Sequence, residues 1–426
     1  MISRRSAGVA LATLAMTFTL AACGRGEGEG GESAAAESLA PAVSEGPAAG
    51  ELEVWAMGTE GDNLQVLADA FTEENPDVTV DVQAIPWEAA HEQIVNAIAG
   101  GQTPDVSMIG TTWQGEFAST GALDPTPSNI DPSMFFEGAW NTTVVDGVSY
   151  GVPWYVETRM ICYRTDLAEE AGITEPPASW DDLKALAQAY KDNGAEWGIG
   201  LPPGGGGSWQ TWMPFVWQAG GTIVDDSNAI AFAGEPATEA LTFYDSFFEE
   251  ELSPDSVLEP GALETGFIDG SIPMFISGPW HIGILEEQGA EEGTWGLAHM
   301  PTQEAGTSFV GGSNLSVFAE SDNRDAAWKF VEFLSQPETQ VTWFETINDL
   351  PSVQSAWDDS VIADDEHLTL FGEQLDDAKA PPAIPNWEQI AAAWDAQIEQ
   401  MTVGDQAPDA TVEAMQEEAE SIGTGL

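Results

Sequence analysis

The sequence predicts an α/β protein with two lobes, each built from a β-sheet flanked by helices. Three observations support this fold class. The chain has 426 residues, which is more than one hydrophobic core usually serves. Its hydrophobic fraction is 43%, with 17 Trp and 18 Phe, so the chain folds despite a formal net charge of −62. Strand and helix patterns also alternate along the first folded segment, which is typical of doubly wound α/β sheets.

The N-terminus has the pattern of an export signal. Two arginines precede an apolar run over residues 7–22 that is rich in Leu and Ala. The run ends in Leu-Ala-Ala-Cys at Cys23, which resembles the box of bacterial lipoprotein signals, where the cysteine is acylated and becomes the first mature residue. We therefore predict a signal peptide over residues 1–22. Lipidated Cys23 and a flexible tether follow over residues 23–50, which are mostly Gly, Glu, Ala and Ser.

Strands and helices alternate in the segment that comes next. The predicted strands are residues 52–56, 78–85 and 106–109, where β-branched residues recur. A helix with its N-cap at Asp62 or Asn63 separates the first two strands, and another helix ends at Gly100 and Gly101. Ligand crevices of such sheets lie beyond the carboxyl ends of the strands. Functional residues are therefore expected in residues 56–62, 85–87 and 110–113.

The remaining elements extend this organisation to a second lobe. Residues 154–163 read as a strand that could run from one lobe into the other. Helical patterns follow, at residues 180–192, 236–250, 324–335, 338–345, 387–401 and 409–422.

The charge balance excludes two classes of partner. The chain contains 72 Asp and Glu against 10 Lys and Arg, and phosphate backbones and anionic lipid surfaces are both bound through clustered basic residues. We therefore expect no nucleic-acid partner. Carboxylates repel one another less at molar salt, where the Debye length is about 3 Å, so the composition favours a halophilic setting.

No motif marks a metal, a cofactor or a nucleophile. The four His residues are far apart and show no paired spacing. Cys162 stands in an apolar strand, which predicts a buried, inert thiol. We expect no cofactor and no metal. Any two of the 72 carboxylates could form the acid pair of a secreted glycoside hydrolase, so that interpretation stays open as the alternative.

Tryptophan is the residue type that points to a ligand. An indole ring offers a flat apolar face to a pyranose, while nearby polar side chains bond its hydroxyls. Trp154 and Trp280 stand beside Pro or Gly, where exposure in a cleft is expected. We predict that residues 204–207, which are all Gly, form a mobile loop that presents Trp209 and Trp212.

Several short motifs occur in a fixed order. They are Ala-Gly-Gly-Gln-Thr-Pro-Asp-Val at 99–106, Asp-Gly-Val-Ser-Tyr-Gly-Val-Pro-Trp at 146–154, Tyr-Arg-Thr-Asp-Leu at 163–167, Ser-Gly-Pro-Trp at 277–280 and Gly-Gly-Ser-Asn-Leu-Ser-Val-Phe at 311–318. With these motifs the chain resembles family 1 extracellular solute-binding proteins of carbohydrate-uptake ABC transporters, which are related to maltose- and oligosaccharide-binding lipoproteins. The resemblance implies a type II periplasmic-binding-protein-like fold with a hinge of crossing strands. The implied lobes are residues 51–157 plus 308–352 and residues 158–307 plus 353–426.

The resemblance also implies a function without catalysis. It implies a lipid-anchored receptor on the extracellular face of the cytoplasmic membrane. Such a receptor captures a neutral mono- or oligosaccharide by lobe closure and delivers it to ABC permease membrane subunits with a cytoplasmic ATPase. A glycoside hydrolase and an adhesive lipoprotein without a small ligand remain the alternatives. The expected ligand contacts are Glu60, Trp87, Thr112, Trp113, Trp154, Glu157, Trp209, Trp212, Trp280, Gly312, Ser313, Asn314 and Trp387.

Overall fold

The structure is a computed structural model that describes residues 40–225 and 227–426, with nothing described for the side chain of Glu88. The predicted signal peptide, the lipidation site Cys23 and most of the predicted tether lie outside the described residues.

The described residues form short strands and many helices. The strands are β1 Ala49–Met57, β2 Asp77–Ile85, β3 Val106–Gly110, β4 Val144–Val145, β5 Val148–Ser149, β6 Val152–Thr158, β7 Met160–Tyr163, β8 Met274–Ser277, β9 Gly296–Ala298, β10 Ser308–Val317, β11 Leu350–Pro351 and β12 Ala378–Lys379. The helices are α1 Gly58–Asn63, α2 Gln65–Glu74, α3 Trp87–Gly100, α4 Gln114–Ser119, α5 Glu137–Asn141, α6 Thr165–Glu170, α7 Trp180–Asp192, α8 Trp209–Gln218, α9 Glu235–Glu249, α10 Ala262–Asp269, α11 Trp280–Glu287, α12 Arg324–Leu334, α13 Pro337–Ile347, α14 Ser360–Ala363, α15 Glu366–Leu375, α16 Trp387–Thr402 and α17 Pro408–Ile422. Short 3-10 helices occur at Thr111–Trp113, Pro132–Met134 and Gln354–Asp358.

The strands assemble into two main sheets. The larger is seven-stranded, with the order β11-β6-β10-β3-β1-β2 and β12 paired to β10. Within it, β1 runs parallel to β2 and β3, whereas β10 is antiparallel to β3 and β6. The smaller sheet has three strands in the order β8-β7-β9, all antiparallel neighbours. We call the larger sheet with its helices the first lobe, and the smaller sheet with α7–α11, α16 and α17 the second lobe.

The predicted strand over residues 154–163 does connect the two lobes. It is divided into β6 and β7, which are separated by the single residue Arg159. Strand β6 pairs with β10 and β11 of the larger sheet, and β7 pairs with β8 and β9 of the smaller one. The chain returns to the first lobe between β9 and β10. Strand β12 later pairs with the start of β10.

Each lobe has its own hydrophobic core. The first is built around β1–β3 with α2, α3 and α12. The second is built around α7–α9, α16 and α17. A third cluster lies at the junction and contains side chains of β6 and β10 together with side chains of β7 and β8. Among the described residues, no helix combines the length and the apolar character needed to cross a membrane.

Local sequence signals explain several helix bounds. Helix α7 begins where predicted, because the Ser179 hydroxyl accepts from the N–H of Asp182 while the Asp182 carboxylate accepts from the N–H of Ser179. The predicted N-cap at Asp62 or Asn63 is wrong. Helix α1 begins directly after β1 at Gly58, whose φ of +55° is available to glycine at little cost.

Candidate functional site

Residues at one edge of the first lobe converge because parallel strands end together. Strand β1 is followed by Thr59 and Glu60, β2 by Trp87, and β3 by the 3-10 helix Thr111–Trp113. From the second lobe, Trp280 begins α11 shortly after β8 ends. The sequence therefore brings polar and aromatic side chains to strand ends of both sheets.

A cavity of about 1020 Å³ lies between these strand ends. Four of the predicted contact residues line it, namely Trp87, Glu157, Trp280 and Gly312. Its wall draws on the first lobe, the second lobe and the hinge strand β6, so a bound ligand would contact both lobes.

Trp280 presents an aromatic face to this cavity. Its side chain is 44% exposed, which is unusual for a large apolar residue of this protein. The ring folds back over Gly278, where any Cβ atom would collide with it. The Ser-Gly-Pro-Trp motif thus needs its glycine for the orientation of the ring, which suits stacking against a sugar.

Sequence analysis missed a buried basic side chain at the hinge. Arg159 is 5% exposed and its Nη1 donates to Oε2 of Glu157 at 2.9 Å. The guanidinium carbon lies 4.8 Å from the ring centroid of Trp280 and 5.1 Å from that of Phe309. Arg159 is one of only ten basic residues of the chain and directly precedes the apolar residues 160–163, and this was the available signal.

Acidic groups gather beside the same cavity. Burial raises the pKa of Glu60, although hydrogen bonds from the backbone and from Tyr155 oppose this rise. Burial, followed by the negative charge of Glu60, raises the pKa of Asp349 well above its ordinary value. Tyr155 and Asp349 line the cavity and were not predicted. Tyr155 directly follows the motif at 146–154, which was an available signal, whereas no motif marks Asp349. Carboxylates in this position can accept hydrogen bonds from ligand hydroxyls. Among the residues described, no group of three or more His, Cys, Asp or Glu could hold a metal ion.

Trp113 lies in a smaller space near Trp87. The two rings pack edge to face, with centroids 5.7 Å apart. Trp113 also lines a cavity of about 340 Å³ with His91 of α3 and Glu388 of α16, one from each lobe. Thr112, its neighbour, is half-buried. These two predicted contacts are close to the cleft, although they do not line its main cavity.

Three predicted tryptophans are corrected to core positions. Trp154 is 1% exposed and stacks on Trp343 with ring centroids 5.0 Å apart. Trp212 and Trp387 are 0% exposed, and both pack against Trp394 of α16. These rings are buried by contacts with residues that are distant in sequence, so the residues next to them in the chain do not indicate their burial.

The prediction that the glycine run presents Trp209 to a ligand is also corrected. Trp209 begins helix α8 and is 5% exposed. The buried carboxylate of Asp395 accepts from the N–H groups of Gly207 and Trp209, at 2.7 and 2.9 Å, and from the Ser208 hydroxyl at 2.6 Å. This carboxylate ties the end of the glycine run to α16 and fixes the start of α8.

Of the predicted Gly-Ser-Asn segment, only glycine reaches the cavity. Gly312 has φ of +118°, and a Cβ atom there would collide with the Tyr155 carbonyl. Ser313 and Asn314 are fully buried. The Asn314 amide accepts from Thr142 at 3.0 Å and donates to Gln114 at 3.2 Å. Their predicted ligand contacts are therefore corrected to interior positions of the first lobe.

Two lobes with separate cores, joined by crossing strands around a shared cavity, define a bilobal binding protein. Residues 56–341 match the family described as bacterial extracellular solute-binding protein, and the chain belongs to this family.

Solved and curated relatives agree with this assignment. The sugar-binding protein MalE of Xanthomonas citri is 33% identical with a TM-score of 0.83, and the match covers 88% of this chain and 97% of that one. The GacH receptor of Streptomyces glaucescens, solved unliganded and with acarbose, is 27% identical with a TM-score of 0.72 over 88% and 98% of the two chains. The maltotriose-binding protein of Pyrococcus abyssi is 27% identical over 361 residues, which is 81% of this chain and 75% of the relative. These relatives are binding proteins rather than enzymes, and the fold is the two-lobed type II fold that the sequence predicts.

Proposed function

We propose that this protein is the substrate-binding subunit of an ABC importer and captures a neutral mono- or oligosaccharide between its lobes. The observation that carries this proposal is the cavity of about 1020 Å³ that joins the exposed face of Trp280 to the carboxyl groups of Glu157 and Asp349. The names of the relatives, which include sugar-binding and maltotriose-binding proteins, support the same class of ligand.

Capture follows from contacts on both sides of the cleft. A pyranose ring stacks on Trp280 of the second lobe, while its hydroxyls donate to carboxylates of the hinge and the first lobe. Because both sets of contacts form only when the lobes are close together, the ligand shifts the population toward the closed state. Among the described residues that line the cavity there is no Lys, Arg or His, which disfavours an anionic ligand.

The proposal also includes a lipid anchor at Cys23 and delivery of the sugar to the permease. Acylation of Cys23 would hold the receptor at the extracellular face of the cytoplasmic membrane, next to the permease subunits that accept the sugar. A Cys23→Ala variant should move from the membrane fraction to the medium, and mass spectrometry of the N-terminal peptide should find the lipid only on Cys23.

A halophilic setting is part of the same proposal. With 72 acidic and 10 basic residues, repulsion within the folded chain is greatest in dilute buffer. The midpoint of thermal unfolding should fall when the protein is moved from molar salt to dilute buffer, and an unchanged midpoint would contradict this setting.

Sugar binding can be tested with a panel of neutral saccharides at high salt. A thermal-shift screen identifies the ligand, and isothermal titration calorimetry then measures its affinity. Trp280→Ala should weaken binding at least tenfold, because it removes the stacking face. The matched control is Trp197→Ala, since Trp197 lies on the second lobe next to Lys191 and away from the cavity. Trp197→Ala should leave the affinity unchanged.

The same samples distinguish a receptor from a hydrolase. A receptor returns the oligosaccharide intact, whereas a glycoside hydrolase with an Asp/Glu pair releases reducing ends. Release of reducing ends, together with no stabilisation by any sugar, would refute the proposed function.

A further inference from the structure

Arg159 stands where the chain first crosses from the first lobe to the second. It is the single residue between β6 and β7, so the two strands that belong to different sheets join at its backbone. Its side chain is 5% exposed. A buried arginine is retained at low cost only when its charge is paired and its N–H groups are bonded.

The surroundings of the guanidinium meet this condition from both lobes. Nη1 donates to Glu157 of β6, and Nη2 donates to Gln210 of α8. The planar group also lies between two aromatic rings, with Trp280 of α11 at 4.8 Å and Phe309 of β10 at 5.1 Å. Two of these neighbours, Glu157 and Trp280, line the cavity.

We propose that Arg159 is a positioning residue of the binding cleft, which holds the Trp280 ring and the Glu157 carboxylate in the orientations that receive the ligand and couples them across the hinge. The proposal rests on the proposed function and adds to it a residue that lines none of the cavity itself. Arg159 orients the Trp280 ring in the ligand-free protein as well, so this part can be tested without a ligand.

The geometry gives Arg159 two separate effects. It lies over the Trp280 ring, 4.8 Å from the ring centroid, and so restrains the orientation of the ring, because guanidinium groups are attracted to the faces of indole rings. It also occupies Oε2 of Glu157, which leaves Oε1 as the acceptor for a ligand hydroxyl. Since the same charge holds both contact residues, they act as a unit when the lobes close.

The first test uses the ligand-free protein. Acrylamide quenches exposed indole rings, and Trp280 is the most exposed tryptophan that the structure describes, at 44%. A Trp280→Phe background separates its signal from that of half-buried tryptophans such as Trp113 and Trp357. The neutral quencher avoids the repulsion that an anionic one would meet.

The Arg159→Met variant should be quenched more strongly than the wild-type protein. The same substitution should leave quenching unchanged when Trp280 has already been replaced by Phe. The control is Arg164→Met, because Arg164 is a half-buried arginine that is also paired with an acid, Asp166, at 2.6 Å, but lies away from the cavity.

The second test measures sugar affinity at a temperature where every variant is folded. Without Arg159 the ligand itself must order the Trp280 ring and the Glu157 carboxylate, so Arg159→Met should weaken binding by roughly tenfold. Arg159→Lys keeps the charge but not the planar contact with the rings, so it should recover part of the affinity. Arg164→Met should bind as the wild type does, even if its unfolding midpoint falls.

The outcomes separate the two proposals. Wild-type affinity and unchanged quenching in Arg159→Met would overturn the positioning role while the sugar-binding function stands. If Arg159→Met does not fold, quenching and sugar affinity are measured on Arg159→Lys instead. Wild-type quenching together with wild-type affinity in Arg159→Lys would also overturn the positioning role. If the wild-type protein binds no sugar, the proposed function fails, and the quenching experiment still decides whether Arg159 orients Trp280.

Discussion

Replacing Asp245 by Asn is expected to stabilise the protein above neutral pH. Asp245 lies on α9 and is only 5% exposed. Burial raises its pKa from the ordinary 3.8 to about 6, and the negative charges of Glu249 and Asp405 add to the rise. The folded state therefore binds a proton at pH values where the unfolded chain has released it.

The size and the sign of the effect follow from this pKa. A rise from 3.8 to about 6 corresponds to at most about 3 kcal/mol, at about 1.4 kcal/mol per pH unit. Below pH 3.8 the carboxyl is protonated in both states and the protein keeps this stability. As the pH rises through about 6 the stability is lost. The asparagine variant has no charge to release, so its advantage over wild type should grow from near zero at about pH 4 to 2–3 kcal/mol at about pH 7.5.

Urea unfolding at constant molar salt measures this difference across the pH range. The matched control is Glu413→Gln, which removes the same charge from an exposed position on α17 and reports the change in overall repulsion. An equal gain for both variants, or a gain for Asp245→Asn that does not vary with pH, would show that burial of Asp245 is not the cause.

Three further predictions follow from residues of the two lobes. Trp212→Ala should lower the free energy of unfolding by about 3–5 kcal/mol, because the ring is fully buried, and chemical denaturation measures the loss. Gly312→Ala should weaken sugar binding in calorimetry, since a Cβ atom would displace the Tyr155 carbonyl; wild-type affinity would show that the backbone adjusts without disturbing the cavity. Burial raises the pKa of the Cys162 thiol well above its ordinary value, so iodoacetamide should label it only after unfolding, and rapid labelling of the native protein would contradict its burial.

Much of the fold was predictable because it depends on local signals. Capping at Ser179 fixes the start of α7, and Gly101 in the left-handed conformation ends α3. The strand pattern over residues 154–163 was recognisable in the sequence as a segment that could run from one lobe into the other. Such features are encoded within a few residues of where they act.

The candidate site was only partly predictable because exposure depends on distant packing. Trp280 and Trp387 both follow turn residues, yet one is 44% exposed and the other 0%. Trp387 is buried because Trp209 and Trp394 pack against its ring, and neither contact is visible in the sequence around it. Asp349 likewise gains its raised pKa from burial and from Glu60, which lies far from it along the chain.

The arrangement of the second-lobe core has a consequence for biosynthesis. That core joins Ile161 and Tyr163 of the first crossing to Trp387, Trp394 and Met415 near the other end of the chain. It can be completed only after the last helices have been synthesised, because contacts so distant in sequence form late. The growing chain thus keeps one lobe unfinished until α17 is available.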